Sequence, residues 1–187
     1  MKSARFRMLG LSAVALAAAT AIGLAQIERL DLPKMVAKMD DAIVGTITEK
    51  YAIRIDHPVD GDELYFTHIT VEGRSLVTGE NKTVVVTYNG GWVTPEEGVH
   101  NSEAPSEDDT RVGNEVVTFY AWTPNMGGDL SANGMIALHG GLYQVAEGRK
   151  GDVVLGQGDG YAISSNITLD DLDSAMTETW RQVREGK

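Results

Sequence analysis

Hydrophobic positions recur at changing intervals along the chain, and each interval marks an element. In LDLPKMVAKMDD, Leu32, Met35, Val36 and Met39 fall at helical spacing, with Asp31 placed as an N-cap and Pro33 in the first turn. This predicts a short helix. From Asp41 the interval drops to two or the run becomes continuous. AIVGTITEKYAIRI, ELYFTHITVEG, KTVVVTYNGG and NEVVTFYAWT are each rich in Val, Ile, Thr and aromatics and bounded by Gly, Asp, Asn or Pro, which predicts strands. GMIALHGGLYQVAE predicts two more, with a hairpin turn at Gly140-Gly141, and GDVVLG and GYAISS a further pair. Helical spacing returns through Leu172, Met176, Trp180 and Val183, with Thr168 and Asp171 as a capping pair. That helix is expected over about 169 to 185, its apolar stripe turned to the protein's own core.

Many short strands flanked by two helices predict a mainly β chain: a small antiparallel barrel or sandwich, OB-like, with a short N-terminal helix and a C-terminal helix covering an open end or seam. The segment TPEEGVHNSEAPSEDDTR is longer than a compact domain tolerates without structure. It reads as a mobile acidic flap or a functional loop spanning 95–111.

The first residues have a different character. Lys2, Arg5 and Arg7 precede an uncharged Ala- and Leu-rich run from Met8 to Leu24, with Gly23 and Ala25 as small residues flanking Leu24. This is the pattern of a secretory signal cleaved after Ala25, leaving residues 26–187 as one domain in the periplasm or outside the cell. A retained N-terminal membrane anchor is the competing reading. The chain has no cysteine, so neither a disulfide framework nor a lipid-modified cysteine is available. Removing the three basic residues of the leader leaves 13 Lys and Arg against 27 Asp and Glu, and moves the formal charge from -11 to -14. Such a chain repels phosphate backbones and anionic lipid, which excludes nucleic acid as a partner and leaves no membrane span after cleavage.

In this order the helix, DDAIVGTITEKY, ELYFTHITVEG, KTVVVTYNGG, SEAP, RVGNEVVTFYAW and GGLYQVAEGRKGDVVLGQGDGYAI resemble exported bacterial β-barrel domains of unknown function. Those domains are found alone or beside matrixin-type metalloproteases. The resemblance covers most of Met35 to Ile163 and implies a barrel. No H-E-x-x-H occurs in this chain, so the protease does not come with it. Glu103 stands where the pattern has glycine. Netrin-like inhibitor modules are similar more remotely, but they depend on cysteines that are absent.

Chemistry-bearing motifs are sparse. Gly156, Gly158 and Gly160 read G-x-G-x-G, but a strand-like run follows where a dinucleotide site needs a helix, so a tight turn is expected. Ser75 in GRSLV lacks the second glycine of a nucleophile elbow and reads as an exposed strand or turn serine. The acidic pairs Glu96-Glu97 and Asp108-Asp109 read as solvated loop charge. Asp56, His57, Asp60, Asp62 and Glu63 lie within eight residues, and an oxygen-rich turn of this kind can take calcium. A plain hairpin connection explains them as well, since the EF-hand order is missing. His68, His100 and His139 show no metal-ligand spacing. Trp92, Tyr120 and Trp122 can present a stacking surface to a glycan or peptide, although core burial is the simpler account of them.

The expectation is therefore an exported, non-catalytic binding or accessory module of the cell envelope, without a cofactor, acting on a protein or glycan partner. Its rivals are a calcium-binding envelope domain and a hydrolase whose site is assembled from separate loops.

Overall fold

A computed structural model of the chain describes residues 28–186, and the leader lies outside them. The elements are α1 (Leu32–Lys38), β1 (Asp41–His57), β2 (Gly61–Ser75), β3 (Asn81–Asn89), β4 (Gly91–Thr94), β5 (Glu97–Val99), β6 (Glu115–Thr123), β7 (Ala132–Met135), β8 (Leu142–Gly148), β9 (Gly151–Val154), β10 (Ile167–Thr168) and α2 (Leu169–Glu185). Both helices begin where the capping chemistry places them. The Asp31 carboxylate accepts from the Lys34 backbone N–H at 3.0 Å, and Thr168 Oγ1 accepts from the Asp171 N–H at 3.2 Å, each satisfying a donor that the first helical turn leaves unpaired. Among the described residues no helix is long and apolar enough to cross a membrane.

Strands β1, β2, β3, β7 and β6 pair in that order, and β1 pairs with β6 to close a five-stranded barrel. Only the β3–β7 contact is parallel, at Val86↔Asn133 and Thr87↔Gly134. This is an OB-like Greek-key closure. Alternation along the strands splits the apolar residues into two sets. Val116 and Tyr120 of β6 join Ile43, Ile47, Ile69, Val71 and Val86 in the barrel interior. Val117 and Phe119 face outward with Ala42 and Val44, where Met35, Val36 and Met39 of α1 and Leu172 and Met176 of α2 pack on them. The helices thus cover the outer wall of the barrel rather than an open end or seam. Where β1 is gripped by β2 and β6 together, Gly45 stands opposite Gly73 and Val116. A Cβ on Gly45 would meet the Glu72 carbonyl, and one on Gly73 the Val44 carbonyl.

Three expectations change. Gly140-Gly141 is no hairpin turn: β7 and β8 both run antiparallel to β6, pairing at Tyr120↔Met135 and Thr118↔Leu142. Two steps on β6 therefore match seven on the partner, and the surplus forms a 3-10 turn over Leu138–Gly141. Ala137 and Leu138 take positive φ, 54° and 47°. This offset carries β8 out of the barrel to pair with β9. GYAISS forms no strand either; only Ile167–Thr168 pair with β9, while Ile163 is buried under the helices. The acidic stretch is a built structure and not a flap. Gly91–Val99 make the β4–β5 hairpin. Lys50 Nζ then holds Glu107 at 2.6 Å and Thr110 Oγ1 at 2.8 Å, and Gln144 Nε2 donates to the Asp109 carbonyl at 2.6 Å.

Candidate functional site

Strands β1 and β2 run on beyond the barrel as an antiparallel ribbon to the turn at His57–Gly61. The β4–β5 hairpin is fastened to this ribbon. The Gly90 N–H donates to the Tyr65 carbonyl at 2.8 Å, and Arg54 Nη1 donates to Glu97 at 2.9 Å. Asn101 then fixes the chain leaving β5, donating to the Asn89 carbonyl at 3.0 Å while accepting from the Glu103 N–H at 3.0 Å. The result is a ridge, Val99 to Ser102, with a cavity of about 370 Å³ on each side. Tyr65, Phe66, Asn89 and Met126 line one; Thr67, Tyr88, Trp92 and Glu107 line the other. Each is large enough for a side chain or a sugar ring.

Trp92 is half-exposed at the lip of the second cavity, at 50%. Its indole lies over Gly98, directly opposite on β5, where a Cβ would come within 2.8 Å of the ring. Val93 and Val99 on the same hairpin are also exposed. Burial accounts for Tyr120, which is inside the barrel, but not for Trp92 or for Trp122, which is 58% exposed. The three aromatics are not brought together, and among the described residues no ring contact joins any two of them.

The acidic turn serves as a latch. Asp56 accepts from Arg54 Nε at 2.9 Å and from the Glu63 N–H at 3.0 Å, bonds that hold its carboxyl below the usual carboxylate range. Glu63 approaches the same guanidinium at 3.6 Å. His57 Nδ1 accepts from the Asp60 N–H at 3.0 Å, and its Nε2 lies 3.3 Å from Asp129. Asp60 accepts from the Gly128 N–H at 2.8 Å, so the turn is tied to the loop between β6 and β7. Asp62 is exposed beside it. Among the described residues no three His, Asp or Glu side chains converge as metal ligands.

The remaining histidines stand apart from carboxylates; within 4 Å, among the described residues, His57 alone meets one. His68 is buried on β2, 2.7 Å from Thr87 Oγ1 and stacked near Tyr51, and burial pushes its pKa down. His100 sits on the ridge, lining both cavities. His139 lies edge-on to Tyr161. Ser75 is fully buried, not exposed as expected: it donates to Asp41 at 2.8 Å and accepts from the Val77 and Thr78 N–H groups. Asp41 also receives Lys82 Nζ at 2.8 Å and Tyr120 OH at 3.3 Å. Partial burial opposes the Lys82 charge, but its bonds to Asp41 and Tyr120 outweigh that and raise its pKa. This network ties together the strands that close the barrel. In the glycine-rich stretch, the Gln157 and Gly158 N–H groups donate to the Ile163 and Ser164 carbonyls, both at 2.9 Å. Donors that a phosphate would need are consumed by the turn itself.

No protein-family model matches the sequence, and no curated protein or solved structure matches it.

Proposed function

We propose that the chain is an exported, non-catalytic binding module of the cell envelope, whose groove beside the β4–β5 hairpin holds part of a protein or glycan partner. The observation that carries this reading is the pair of cavities beside the ridge, with the half-exposed indole of Trp92 at the lip of one. Small barrels commonly bind ligands across one face and its adjoining loops. His100 shares one cavity with Glu63 and the other with Glu107, but among the described residues neither carboxylate comes within 4 Å of its ring; this supports a binding role over hydrolysis, because general acid–base chemistry needs those groups within hydrogen-bond reach.

A thermal-shift screen of the chain from Gln26, against cell-wall oligosaccharides and short peptides, tests it. A ligand that binds only the folded state at about a hundred times its Kd stabilises by about 2.7 kcal/mol. The expected outcome is a rise in Tm with one ligand class, lost in Trp92→Ala. A rise that Trp92→Ala leaves intact would place binding elsewhere and refute the groove.

A further inference from the structure

We infer that the groove takes an extended, basic polypeptide segment of a partner protein, laid along the free edge of β5; this rests on the binding-module reading above. Three independent features lead to it. First, β4 and β5 pair only with each other, so among the described residues β5 has a ladder on one side alone. An unpaired strand edge offers main-chain donors and acceptors to another extended chain, with pockets for its alternate side chains. Cavities on both sides of the ridge that continues β5 supply such pockets. An extended polypeptide matches the repeat of donors and acceptors along a strand edge, as a glycan does not.

Second, the charge is one-sided. From Thr83 to Thr110 there is no Lys or Arg, but there are Glu96, Glu97, Glu103, Glu107, Asp108 and Asp109. The cations reaching this surface from β1 do not balance it. Arg54 is shared among Asp56, Glu97 and Glu63, Lys50 is taken by Glu107 and Arg111 by Asp108, which leaves Glu96, Glu103 and Asp109 without an ion pair among the described residues. Complementary charge selects a basic partner and speeds its arrival. Third, the half-exposed indole of Trp92 suits a Lys or Arg side chain, since a cation is attracted to an aromatic ring. The apolar neighbours Val93 and Val99 suit aliphatic residues between the basic ones.

The experiment is fluorescence anisotropy with a labelled, end-capped peptide alternating lysine with valine. Its controls are the same peptide with glutamate for lysine, the lysine peptide with alternate amides N-methylated, and a neutral chitin oligosaccharide. The expected result is saturable binding of the lysine peptide, weakened about tenfold or more between roughly 0.05 M and 0.5 M salt as the charges are screened. Binding should be lost on N-methylation and reduced several-fold in Glu63→Gln and Glu96→Gln, with unchanged unfolding midpoints. Equal binding of the glutamate peptide, or survival of binding after N-methylation, overturns the inference. Binding of the oligosaccharide alone overturns it while leaving the binding-module reading intact, and binding of none of the probes removes both.

Discussion

Replacing Gly45 by alanine tests the closure of the barrel at its tightest point. The new methyl would meet the Glu72 carbonyl and lie 2.7 Å from the Gly73 Cα, whereas carbon atoms pack at about 3.5–4.0 Å. Neither neighbour is a side chain that can turn away, because both belong to the β2 backbone in register with β1. Nor can β1 retreat, since β6 pairs with its other edge at Val116. Overpacking usually costs 1–3 kcal/mol, and with backbone on both sides the upper end applies, about 3 kcal/mol. Against a typical total of about 5–15 kcal/mol that is a large share. For a domain of this size it lowers Tm by about 6–12 °C. Urea unfolding of wild type, Gly45→Ala, Gly73→Ala and the double variant supplies the measurement. The double variant should cost less than the sum of the two, because the strands need part only once. A loss below about 1 kcal/mol in Gly45→Ala would refute the claim that the backbones are in contact here.

Other outcomes follow from the same reasoning. His68 is buried with a depressed pKa, so the unfolded chain binds its proton more readily than the folded one. Its contribution to stability is complete above the ordinary imidazole pKa of about 6.5 and declines as pH falls from there toward the depressed value. Unfolding free energies at mildly acidic and neutral pH should show this slope, and His68→Gln should flatten it; an unchanged slope would sink the assignment. Asp41→Ala strands Ser75, Lys82 and Tyr120 at once. Breaking a buried pair costs about 3–5 kcal/mol, and the partial exposure of Lys82 reduces this to about 2–3; denaturant titration showing less than about 1 kcal/mol would mean the network is incidental. Calcium at about 1 mM, in the range that extracellular sites answer to, should leave Tm unchanged, because Arg54 and backbone N–H groups already hold Asp56 and Asp60. A rise of several degrees would restore the calcium reading.

The parts of the fold legible in the sequence are those set by local rules. Asp31 and Thr168 cap their helices because a side-chain oxygen in that position has few alternatives, and the long β1–β3 meander follows from alternation in AIVGTITEKYAIRI and its successors. The misreadings came where one local signal serves two geometries. A Gly-Gly pair permits a hairpin, but it equally permits the 3-10 turn that offsets β7 from β8. The YAI run alternates like a strand, yet Ile163 is buried under the helices without pairing, and Tyr161 is half-buried against Arg29 and His139. Ser75 looked exposed because its partner, Asp41, is thirty-four positions away. The groove was only half visible: Trp92 was a candidate, but its companions on the ridge come from Asn101 and the far side of the ribbon. The one local hint was Gly98, whose missing side chain gives the indole its seat.

The two helices meet at their ends, where Arg184 donates to the Met39 carbonyl at 2.5 Å, and Leu30 is buried in the same layer. The C-terminal end of the described chain thus leaves from the outer wall that includes Val44 of β1, whereas the N-terminal end leaves beside Glu103: Glu28 shares a small cavity with Glu103, Ala137 and Leu138. The groove is fastened to the same strand at Arg54, ten residues further on and about 33 Å away measured along an extended chain. A tether at the C-terminal end would hold the molecule by its helical side and leave the ridge facing outward, whereas one at the N-terminal end would emerge beside Glu103, next to the ridge. Which end is tied therefore decides whether the ridge is crowded or left open.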